Sequence, residues 1–395
     1  MADEIQLSNP PLSLYIHIPW CVRKCPYCDF NSHAVKDELP VRQYIAALLQ
    51  DLEADLPMVW GRPVHSVFIG GGTPSLFPAD AIAEIISGVR ARITISPAAE
   101  ITMEANPGTL EHDSFAAYLD AGINRFSLGA QSFSDQQLKT LGRIHASDEI
   151  LRAVSGLQAA GADNFNLDLM FGLPGQTPTQ ALADLQAAID CEPQHISHYQ
   201  LTMEPNTLFA HKPPAGLPDN DQLADIQESC AELLQAAGFV QYEVSAWAKA
   251  SKGINYRSQH NLNYWRFGDY LGIGAGAHGK LTLAAEGRVL RTAKKKHPVT
   301  YMDRVADSSV DSGHIGELRQ LSENDLVFEF FLNQLRLKDG VHKKDFSLCT
   351  GLAWARVEGQ VNQAFAQGLL YDNGEFITTT TRGWHHLNTL QSIFL

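Results

Sequence analysis

Three of the six cysteines lie close together, at Cys21, Cys25 and Cys28 in the stretch LYIHIPWCVRKCPYCDFNSH. Thiolates bind soft metals, so this clustering indicates a metal or redox centre. A zinc site closed by four ligands would need one more donor, such as His17 or His33. A [4Fe–4S] cluster normally takes four cysteines, and a cluster held by three leaves one iron open. The number three therefore favours an iron–sulfur cluster that binds another molecule at its open iron.

The other cysteines, Cys191, Cys230 and Cys349, are isolated in helix-like stretches, and we expect them to be small buried hydrophobic residues. Residues 1–13 lack the positive and apolar segments of a secretory signal, and no apolar run approaches membrane-spanning length. We therefore expect a cytoplasmic location and no stable membrane insertion. In the reducing cytoplasm, clustered thiols hold metals rather than form disulfides. The net charge of −14 argues against nucleic acid as a partner.

Short apolar runs alternate with amphipathic stretches between residues 12 and 210. The predicted strands are 13–18, 64–69, 100–105, 125–131, 165–170 and 195–201, and the predicted helices are 41–52, 78–90, 109–121, 147–160 and 177–190. An open doubly wound sheet and a barrel both fit this βαβ alternation. Polar residues collect at the C-terminal ends of the strands, where barrels carry their sites. We therefore predict an α/β fold built on a partial six-unit (β/α) barrel.

After residue 240 the alternation stops. Residues 239–248 form a predicted strand, and predicted helices at 322–336 and 354–367 precede a hairpin turn at Asn373-Gly374. These elements predict a barrel over residues 1–240, a connecting region over 241–310, and a small helical, winged-helix-like domain over 311–395. Without a basic recognition helix, the last domain is expected to pack against the barrel or cover it rather than to bind DNA.

Gly274, Gly276 and Gly279 form G-x-G-x-x-G, the spacing of a dinucleotide-binding loop. That loop must open a helix, whereas the following KLTLAAEGRVL is typical of a strand and hairpin. The sequence therefore argues against a dinucleotide site.

Further motifs follow successive units of the predicted barrel. They are GGGTP at 70–74, Glu104 in MEANP, Gln131 in GAQSF, Arg143 in LGRIH and Asp168 in NLDLMFGLPGQT. Together with YIHIPWC and the spacing C-x3-C-x2-C, they resemble the radical S-adenosylmethionine (SAM) enzymes. Within these, they resemble the oxygen-independent coproporphyrinogen III oxidases and their relatives over nearly the whole chain. The resemblance implies a six-unit partial barrel of the radical SAM type and a C-terminal helical domain.

The resemblance also implies that SAM binds the open iron of a [4Fe–4S] cluster held by Cys21, Cys25 and Cys28. The residues implied to contact SAM are Tyr15, Tyr27, Phe30, Gly71, Gly72, Thr73, Glu104, Gln131, Arg143 and Asp168. The glycines would let bare backbone approach the methionine part of SAM closely. One electron passed from the cluster to the sulfonium would release methionine and a 5′-deoxyadenosyl radical. No catalytic residue is assigned beyond the cluster.

Two features depart from the oxidases. Phe30 stands where they carry a further cysteine, two residues after Cys28, and only a short segment precedes the first strand. Both features are shared by the haem chaperones of the same family, which also carry H-N-x-x-Y-W. Residues 260–265 read HNLNYW, so the resemblance implies that haem is bound with His260 as axial ligand and with Tyr264 and Trp265 against the macrocycle. By itself, a histidine beside aromatic residues is more often a packed core residue.

The leading hypothesis is thus a haem chaperone that delivers haem to apo-haemoproteins, membrane-associated ones included, and that needs an electron donor. The alternatives are an oxygen-independent coproporphyrinogen III dehydrogenase and a structural zinc protein. Whether SAM cleavage is a reaction in its own right or regulates haem transfer stays open. Arg257 and Arg266 are expected to meet the haem propionates and Phe267 to add apolar surface, while His278 and Cys349 are alternative iron ligands.

Overall fold

The computed structural model describes residues 7–36, 38–109, 114–307 and 313–395. The strands are β1 (Leu12–Ile18), β2 (Trp20–Cys21), β3 (His33–Ala34), β4 (Val64–Gly71), β5 (Ile95–Ala105), β6 (Arg125–Gln131), β7 (Phe165–Phe171), β8 (His195–Gln200), β9 (Phe239–Gln241), β10 (Ala246–Lys249), β11 (Asp269–Ile273), β12 (His278–Leu283), β13 (Arg288–Lys294), β14 (Ile315–Gln320), β15 (Val341–His342), β16 (Leu370–Asp372) and β17 (Phe376–Thr379).

The α-helices are α1 (Val41–Asp55), α2 (Ala79–Arg90), α3 (Phe115–Asp120), α4 (Asp135–Thr140), α5 (Ser147–Ala159), α6 (Pro178–Asp190), α7 (Leu208–His211), α8 (Asn220–Ala236), α9 (Gln259–Trp265), α10 (Pro298–Ala306), α11 (Glu323–Gln334), α12 (Lys343–Thr350), α13 (Glu358–Ala366), α14 (Thr381–His385) and α15 (Leu387–Ser392). Short 3-10 helices occupy Leu56–Val59, Pro74–Leu76, Pro107–Thr109, Ala284–Glu286 and Trp354–Arg356. Residues 110–113 of the predicted helix 109–121, and the predicted boundary at 310, lie outside the described residues.

Twelve strands form one sheet in the order β14-β13-β12-β11-β1-β4-β5-β6-β7-β8-β10-β9. At its centre, six strands (β1, β4, β5, β6, β7 and β8) run parallel and neighbour one another in chain order, joined by crossover helices. In the described part of the chain β1 and β8 do not pair, so the sheet stays open. The predicted α/β fold, a partial barrel of six units with a C-terminal helical domain, is confirmed.

Strands from beyond residue 240 extend this sheet at both edges. β11 runs parallel to β1, with Leu14 opposite Leu271, and is followed by antiparallel β12, β13 and β14. At the other edge, β10 and β9 add to β8 in antiparallel order. The region predicted to connect two domains therefore contributes strands to the barrel sheet itself.

The prediction of one strand over 239–248 is wrong, because the chain reverses between β9 and β10. The carboxylate of Glu243 accepts hydrogen bonds from the Ser245 backbone N–H at 3.0 Å and from its hydroxyl at 3.1 Å. Arg336 from the C-terminal domain pairs with the same carboxylate at 2.5 Å. The turn is thus stabilised by side-chain contacts that a strand-like residue pattern does not reveal.

Two of the four hydrophobic clusters in the described structure are large. The larger lies between the parallel sheet and its helices, and α2 shows the pattern that builds it, with Ile82, Ile85, Ile86 and Val89 buried at helical spacing. The smaller belongs to the C-terminal domain but also takes in Phe267, next to β11. Burial across this contact fixes the second domain against the sheet.

The C-terminal domain has three helices, α11, α12 and α13, followed by the hairpin β16–β17, to which β15 adds a third strand. The predicted turn at Asn373-Gly374 is confirmed: Gly374 has φ +98°, and its N–H donates to the Asp372 carboxylate at 2.8 Å. Helices α12, α14 and α15 were not predicted from the sequence.

The glycines of the G-x-G-x-x-G match lie between β11 and β12, so no helix follows them and the exclusion of a dinucleotide loop is confirmed. Gly274 has φ +106°, and a Cβ there would come within 2.5 Å of the His17 carbonyl oxygen. Its role is to let two chain segments cross closely. Among the helices described, none combines the length and apolar character that crossing a membrane requires.

Candidate functional site

The cysteine loop, residues 21–33, connects β2 to β3 and is tied down at several points. The Arg23 guanidinium donates to the Gly142 carbonyl at 2.5 Å, and the Phe209 N–H donates to the Pro26 carbonyl at 3.0 Å. The Asn31 amide donates to two carbonyls beyond β11, those of Ala275 and Lys296, each at 2.8 Å. A loop without regular structure is thereby held in place over the ends of the parallel strands.

The three thiols line one cavity of about 280 Å³. Two donors point at their sulfurs: the Thr73 hydroxyl lies 3.6 Å from the Cys21 Sγ, and the Arg143 Nη1 lies 3.7 Å from the Cys25 Sγ. Burial raises the pKa of both Cys21 and Cys28. Metal binding must therefore displace protons, and the two donors stabilise the resulting thiolates.

The donor set fits a three-cysteine cluster better than a closed zinc site. No group of three ligand atoms within 4.8 Å of one another joins these thiols to a histidine or carboxylate in the described part of the chain. His17 has both ring nitrogens engaged, Nδ1 with the Tyr15 hydroxyl at 2.9 Å and Nε2 with the Asn31 carbonyl at 2.8 Å. His33 Nε2 lies 3.3 Å from the Lys296 carbonyl. The set consists of three soft sulfurs, as an iron–sulfur cluster prefers.

Around the thiols, the cavity collects the predicted SAM residues apart from Tyr15. Those that line it are Tyr27, Phe30, Gly71, Gly72, Thr73, Glu104, Gln131, Arg143 and Asp168. They come from the cysteine loop, from strands β4 to β7 and from the turn after α4. Side chains and backbone from six places in the sequence thus meet at one edge of the sheet.

Close backbone packing also requires glycine at Gly71 and Gly72. Gly71 has φ +118°, and a Cβ there would lie 2.7 Å from the His17 ring; at Gly72 it would lie 2.3 Å from the Trp20 carbonyl oxygen. The Gly71 N–H donates to the Glu104 carboxylate at 3.1 Å. Any larger residue at either position would push the end of β4 away from β1 and the cysteine loop.

Glu104 and Asp168 form an acidic wall. Burial, and then the neighbouring charge of Asp168, raise the pKa of Glu104 to about 8. Asp168 accepts hydrogen bonds from the Ser127 hydroxyl at 2.9 Å and the Asn166 amide at 2.8 Å, while burial raises its pKa. Two buried carboxyl groups side by side favour a ligand that brings positive charge or hydroxyl donors.

Gln131 reaches the cavity through an irregularity in its strand. Its φ is +69°, and the register between β6 and β7 shifts between Leu128 and Gln131. Such bulges re-aim side chains at strand ends. The Tyr199 hydroxyl donates to the Gln131 Oε1 at 2.6 Å and holds the amide in place.

Arg143 spans the cavity wall. Its Nη2 donates to the Gly129 carbonyl at 2.9 Å, whereas its buried Nε has no partner among the described residues. Several further lining residues were not predicted from the sequence, among them Asn106, Ser127 and Tyr199. Tyr199 and Ser127 lie within predicted strands, where alternation marks which residues share a face but not which face meets a cavity.

A larger cavity, of about 710 Å³, adjoins the first. The two share as lining Phe30, Ser32, Gly71, Glu104, Ser127 and Asp168. Aromatic rings form much of its other wall: Tyr15 stacks on Phe68 with 6.3 Å between centroids, and Tyr264 packs edge-on against Tyr270 at 4.4 Å. Tyr15 therefore faces this second cavity rather than the first.

His260 lines the larger cavity but is buried and fully bonded. Its Nδ1 lies 3.1 Å from the Ser66 hydroxyl and its Nε2 lies 2.8 Å from the Tyr264 hydroxyl. Burial, and then the charge of Arg125, lower its pKa to about 3, so the ring is neutral. The role of axial ligand stays a prediction, and it requires one of these hydrogen bonds to break.

Tyr264 and the alternative ligand His278 also line this cavity, whereas Trp265, Phe267, Arg257 and Arg266 do not. The Arg336 guanidinium lies over the Trp265 ring, 4.4 Å from the centroid of that ring. Phe267 is buried in the core of the C-terminal domain. Arg257 and Arg266 lie 2.9 and 3.9 Å from the Asp339 carboxylate. Of the three residues of the HNLNYW motif that were predicted to contact haem, His260 and Tyr264 line the cavity and Trp265 does not.

The remaining cysteines lie apart from the cavities. Cys191 and Cys230 are buried, as predicted, and Cys349 is half-buried against the C-terminal core. A second group of ligand-type residues, Asp51, Asp55 and His314, does not line the thiol cavity.

In that group the cation is supplied by the chain itself. The Lys294 ammonium lies 2.6 Å from the Asp51 carboxylate and 2.8 Å from that of Asp55. The cluster is therefore an internal ion-pair network that joins α1 to β13, and a metal there would have to displace a lysine.

Comparisons with known proteins match these features. The Radical SAM superfamily matches residues 15–188, and the HemN C-terminal domain matches residues 321–386. The chain is 50% identical to "Heme chaperone HemW" of Escherichia coli over 98% of both chains, and 50% identical to the protein of that name from Haemophilus influenzae over 98% of both. The Bacillus subtilis HemW is 33% identical over 94% of this chain and 96% of its own.

Among solved structures, the chain resembles the coproporphyrinogen III oxidase HemN from Escherichia coli, described as a radical SAM enzyme. The TM-score is 0.80 at 22% sequence identity, over 98% of this chain and 90% of the other. At this identity the likeness shows the common fold alone.

Proposed function

Since this chain belongs to the HemW family of radical SAM proteins, we propose that it is a haem chaperone that holds haem beside a SAM-coordinated [4Fe–4S] cluster and passes it to acceptor proteins. Relatives named as haem chaperones at 50% identity over nearly the full length support this function. The observation that carries it is the wall shared by the thiol cavity and the larger aromatic cavity. One chain thus offers two adjoining sites, one for the cofactor and one for a flat apolar cargo.

Membership of the radical SAM superfamily implies a [4Fe–4S] cluster and SAM. We assign the cluster to Cys21, Cys25 and Cys28, with the Thr73 hydroxyl and the Arg143 guanidinium as hydrogen-bond donors to sulfur. When bound, such a cluster supplies a single electron to the sulfonium of SAM. Hydrogen bonds to the sulfurs tune the reduction potential of the cluster, so Thr73 and Arg143 are expected to do so here.

The SAM-binding groups are assigned by chemistry. Buried carboxyl groups at Glu104 and Asp168 suit the hydroxyl and cationic groups of SAM, and the orphan Nε of Arg143 suits an acceptor such as its carboxylate. Gly71 and Gly72 present backbone without side chains, and Gln131 offers an amide fixed by Tyr199. Tyr27 and Phe30 are aromatic surfaces of the cysteine loop for the adenine.

SAM binding is tested on anaerobically reconstituted protein by electron paramagnetic resonance. SAM should change the spectrum of the reduced cluster, since it binds the open iron. Replacing Asp168 by Ala should weaken the SAM concentration dependence while the iron and sulfide contents stay unchanged. An identical spectrum at saturating SAM would contradict the SAM assignment.

The larger cavity suits a porphyrin. Its volume of about 710 Å³ falls in the range of small-molecule sites, roughly 300–1,000 Å³. Aromatic rings from Tyr15, Phe68 and Tyr264 face it, and Lys24 and Lys296 lie among its lining residues as partners for propionates. We place His260 and Tyr264 in the wall against the macrocycle. Trp265 on the far side of α9 braces that helix against the C-terminal domain.

Ligation of iron by His260 itself would carry an energetic cost. Taking its Nε2 away from the Tyr264 hydroxyl leaves a buried donor unpaired, which costs about 1–3 kcal/mol. A strong iron–imidazole bond can offset that cost, but only with a rearrangement of the cavity wall.

The oxidase alternative is weaker. Phe30 occupies the position of the further cysteine expected in the oxidases, and its side chain is 58% exposed at the cavity mouth. We expect no multiple-turnover conversion of coproporphyrinogen III to protoporphyrinogen IX under anaerobic conditions with SAM and a reductant. Sustained turnover in that assay would favour the oxidase reading over the chaperone.

Haem delivery is tested by transfer. Haem-loaded protein with a reconstituted cluster is mixed with an apo-haemoprotein, with and without SAM and a low-potential electron donor. The chaperone predicts that haem appears in the acceptor at a rate that differs from that of free haem and that depends on the acceptor concentration. Transfer that matches spontaneous release in every condition would contradict the proposal. The matched control carries Cys25→Ala and separates transfer that needs the cluster from transfer that does not.

A further inference from the structure

Four histidines line the larger cavity: His17, His33, His260 and His278. Iron ligation needs a free lone pair on a ring nitrogen of a neutral imidazole. In His17 and in His260 both nitrogens lie within hydrogen-bond distance of a partner, at 2.8 to 3.1 Å. Neither residue offers a free nitrogen unless part of the wall is rearranged.

One ring nitrogen of His33 already has a hydrogen-bond partner. Its Nε2 lies 3.3 Å from the Lys296 carbonyl, and its ring packs edge-on against His297 with 5.4 Å between centroids. One nitrogen remains, but these two contacts fix the direction in which it points.

His278 differs from the other three. It is the first residue of β12, it is exposed, and within the described residues its ring takes part in no hydrogen bond, ion pair or ring contact. Partial burial and the charges of Arg291 and Lys296 outweigh the opposite effect of Glu317 and lower its pKa. Its imidazole is therefore neutral near neutral pH and free to turn a nitrogen toward a metal.

The surroundings of His278 suit the polar edge of a haem. Lys24 and Lys296, both exposed, line the same cavity as His278. The two lysines can pair with the haem propionates and His278 can bind the iron, while the porphyrin ring packs against Tyr264 and Phe68. Ligands with an apolar body and an anionic edge bind in this orientation, with their charges toward solvent and cations.

We infer that His278, rather than the buried His260, is the axial ligand of haem in this protein. The inference rests on the proposed haem-chaperone function and names the residue that holds the iron. Position at the rim also fits delivery, because a ligand from an acceptor can reach an iron held by an exposed side chain without opening the wall around His260.

The test titrates ferric haem into the cluster-containing full chain and records difference spectra against the same haem-free protein, together with electron paramagnetic resonance. The variants are His278→Ala, His278→Cys, His260→Ala and His33→Ala. His278→Ala should lose the imidazole-type signals and bind at least tenfold more weakly, and added imidazole should restore the signals. His278→Cys should shift them to the thiolate type, which a structural role would not produce. His260→Ala and His33→Ala remove parts of the cavity wall and can change haem affinity, but both should keep the imidazole-type signals.

Unchanged spectra and affinity in His278→Ala, with haem still bound by the wild type, would overturn this inference and leave the chaperone function standing. Loss of the imidazole signature in His260→Ala or His33→Ala instead would overturn it in favour of that residue. A wild type that binds no haem would overturn the proposed function and this inference together. Melting curves and iron contents of each variant show whether the fold and cluster are intact.

Discussion

The cysteine loop and helix α9 carry the two most distinctive motifs of the chain, and their reactive atoms are in opposite states. In the loop, the Cys25 sulfur has the Arg143 Nη1 as a donor at 3.7 Å, and the nearby Arg143 Nε has no partner in the described structure. In helix α9, both nitrogens of His260 are hydrogen bonded, at 3.1 and 2.8 Å. The thiols and Arg143 at the loop can still bind a ligand, whereas both ring nitrogens of His260 already bond to neighbouring side chains.

The local backbone explains the difference. His260 and Tyr264 are four residues apart on a helix, so their side chains share a face and bond each other. Cys21 and Cys25 are also four residues apart, but they lie on an irregular loop, so this spacing does not pair their side chains. Their sulfurs are contacted instead by Thr73 and Arg143 from other segments. A motif of ligand-type residues is therefore better evidence for a ligand on an anchored loop than on a packed helix.

The largest expected effect concerns the open site. Replacing Cys25 by Ala should abolish the cluster, because the remaining two thiols cannot hold it. Iron and acid-labile sulfide should fall from near-equal amounts to background after anaerobic reconstitution. Cys349→Ala is the matched control and should keep both. Stoichiometric zinc without sulfide in the wild type would refute the cluster assignment and support the structural-zinc alternative.

Low pH should lower the free energy of unfolding through the buried, neutral histidines. Burial lowers the pKa of His17, His145 and His198 to about 4 and that of His260 to about 3. These groups are neutral in the fold but charge in the unfolded chain below its pKa of about 6.5, so stability present above pH 6.5 is lost as pH falls toward 4. Each adds a slope of about 1.4 kcal/mol per pH unit. Glu104 contributes a slope of the opposite sign, so chemical denaturation at several pH values is done with the Glu104→Gln variant. A flat profile from pH 6.5 to 4 in that variant would contradict the burial of these rings.

Substitution should separate the two regions directly. His260→Ala should lower the free energy of unfolding by about 2–4 kcal/mol, because the Ser66 and Tyr264 hydroxyls lose their partner and a cavity opens. Phe30→Ala in the cysteine loop should change it by less than about 0.5 kcal/mol, since that side chain is 58% exposed. Denaturant titration of both variants makes the comparison; equal losses would remove the distinction between an open and a closed region.

A pH-dependent effect is expected at the wall between the cavities. The pKa of Glu104 is raised to about 8 in the fold, so ionising it costs stability progressively as pH rises from about 4.5 to 8. Glu104→Gln removes that cost and can still accept from the Gly71 N–H. In protein without SAM, the difference in unfolding free energy between the variant and the wild type should grow by about 1.4 kcal/mol per pH unit between pH 5 and 8. A difference that does not grow with pH would contradict the raised pKa.

Much of the fold was predictable because the parallel strands are continuous apolar runs separated by amphipathic helices. Pairing between distant segments was not. The parallel contact of β11 with β1 joins residues far apart in sequence, and no local pattern announces it. The reversal between β9 and β10 depends on contacts of Glu243 with Ser245 and Arg336, which exist only in the folded chain.

The candidate site shows the same limit. The strand-end residues Glu104, Gln131 and Asp168 were predicted because parallel strands bring their C-terminal ends together. Tyr199 was missed, since its contact with Gln131 depends on the bulge in β6. Trp265 was predicted beside the macrocycle together with His260, and its haem contact stays a prediction. In the structure Trp265 does not line the cavity, because helix positions five apart point to different faces.

The central claim, that this chain holds haem in the cavity beside the cluster, is tested most directly by titrating ferric haem into protein whose [4Fe–4S] cluster is reconstituted. We predict saturable binding of one haem per chain with the spectrum of an imidazole-ligated iron, and no loss of cluster iron or sulfide as haem binds. Haem that partitions without saturation, or that binds only after the cluster is removed, would contradict it.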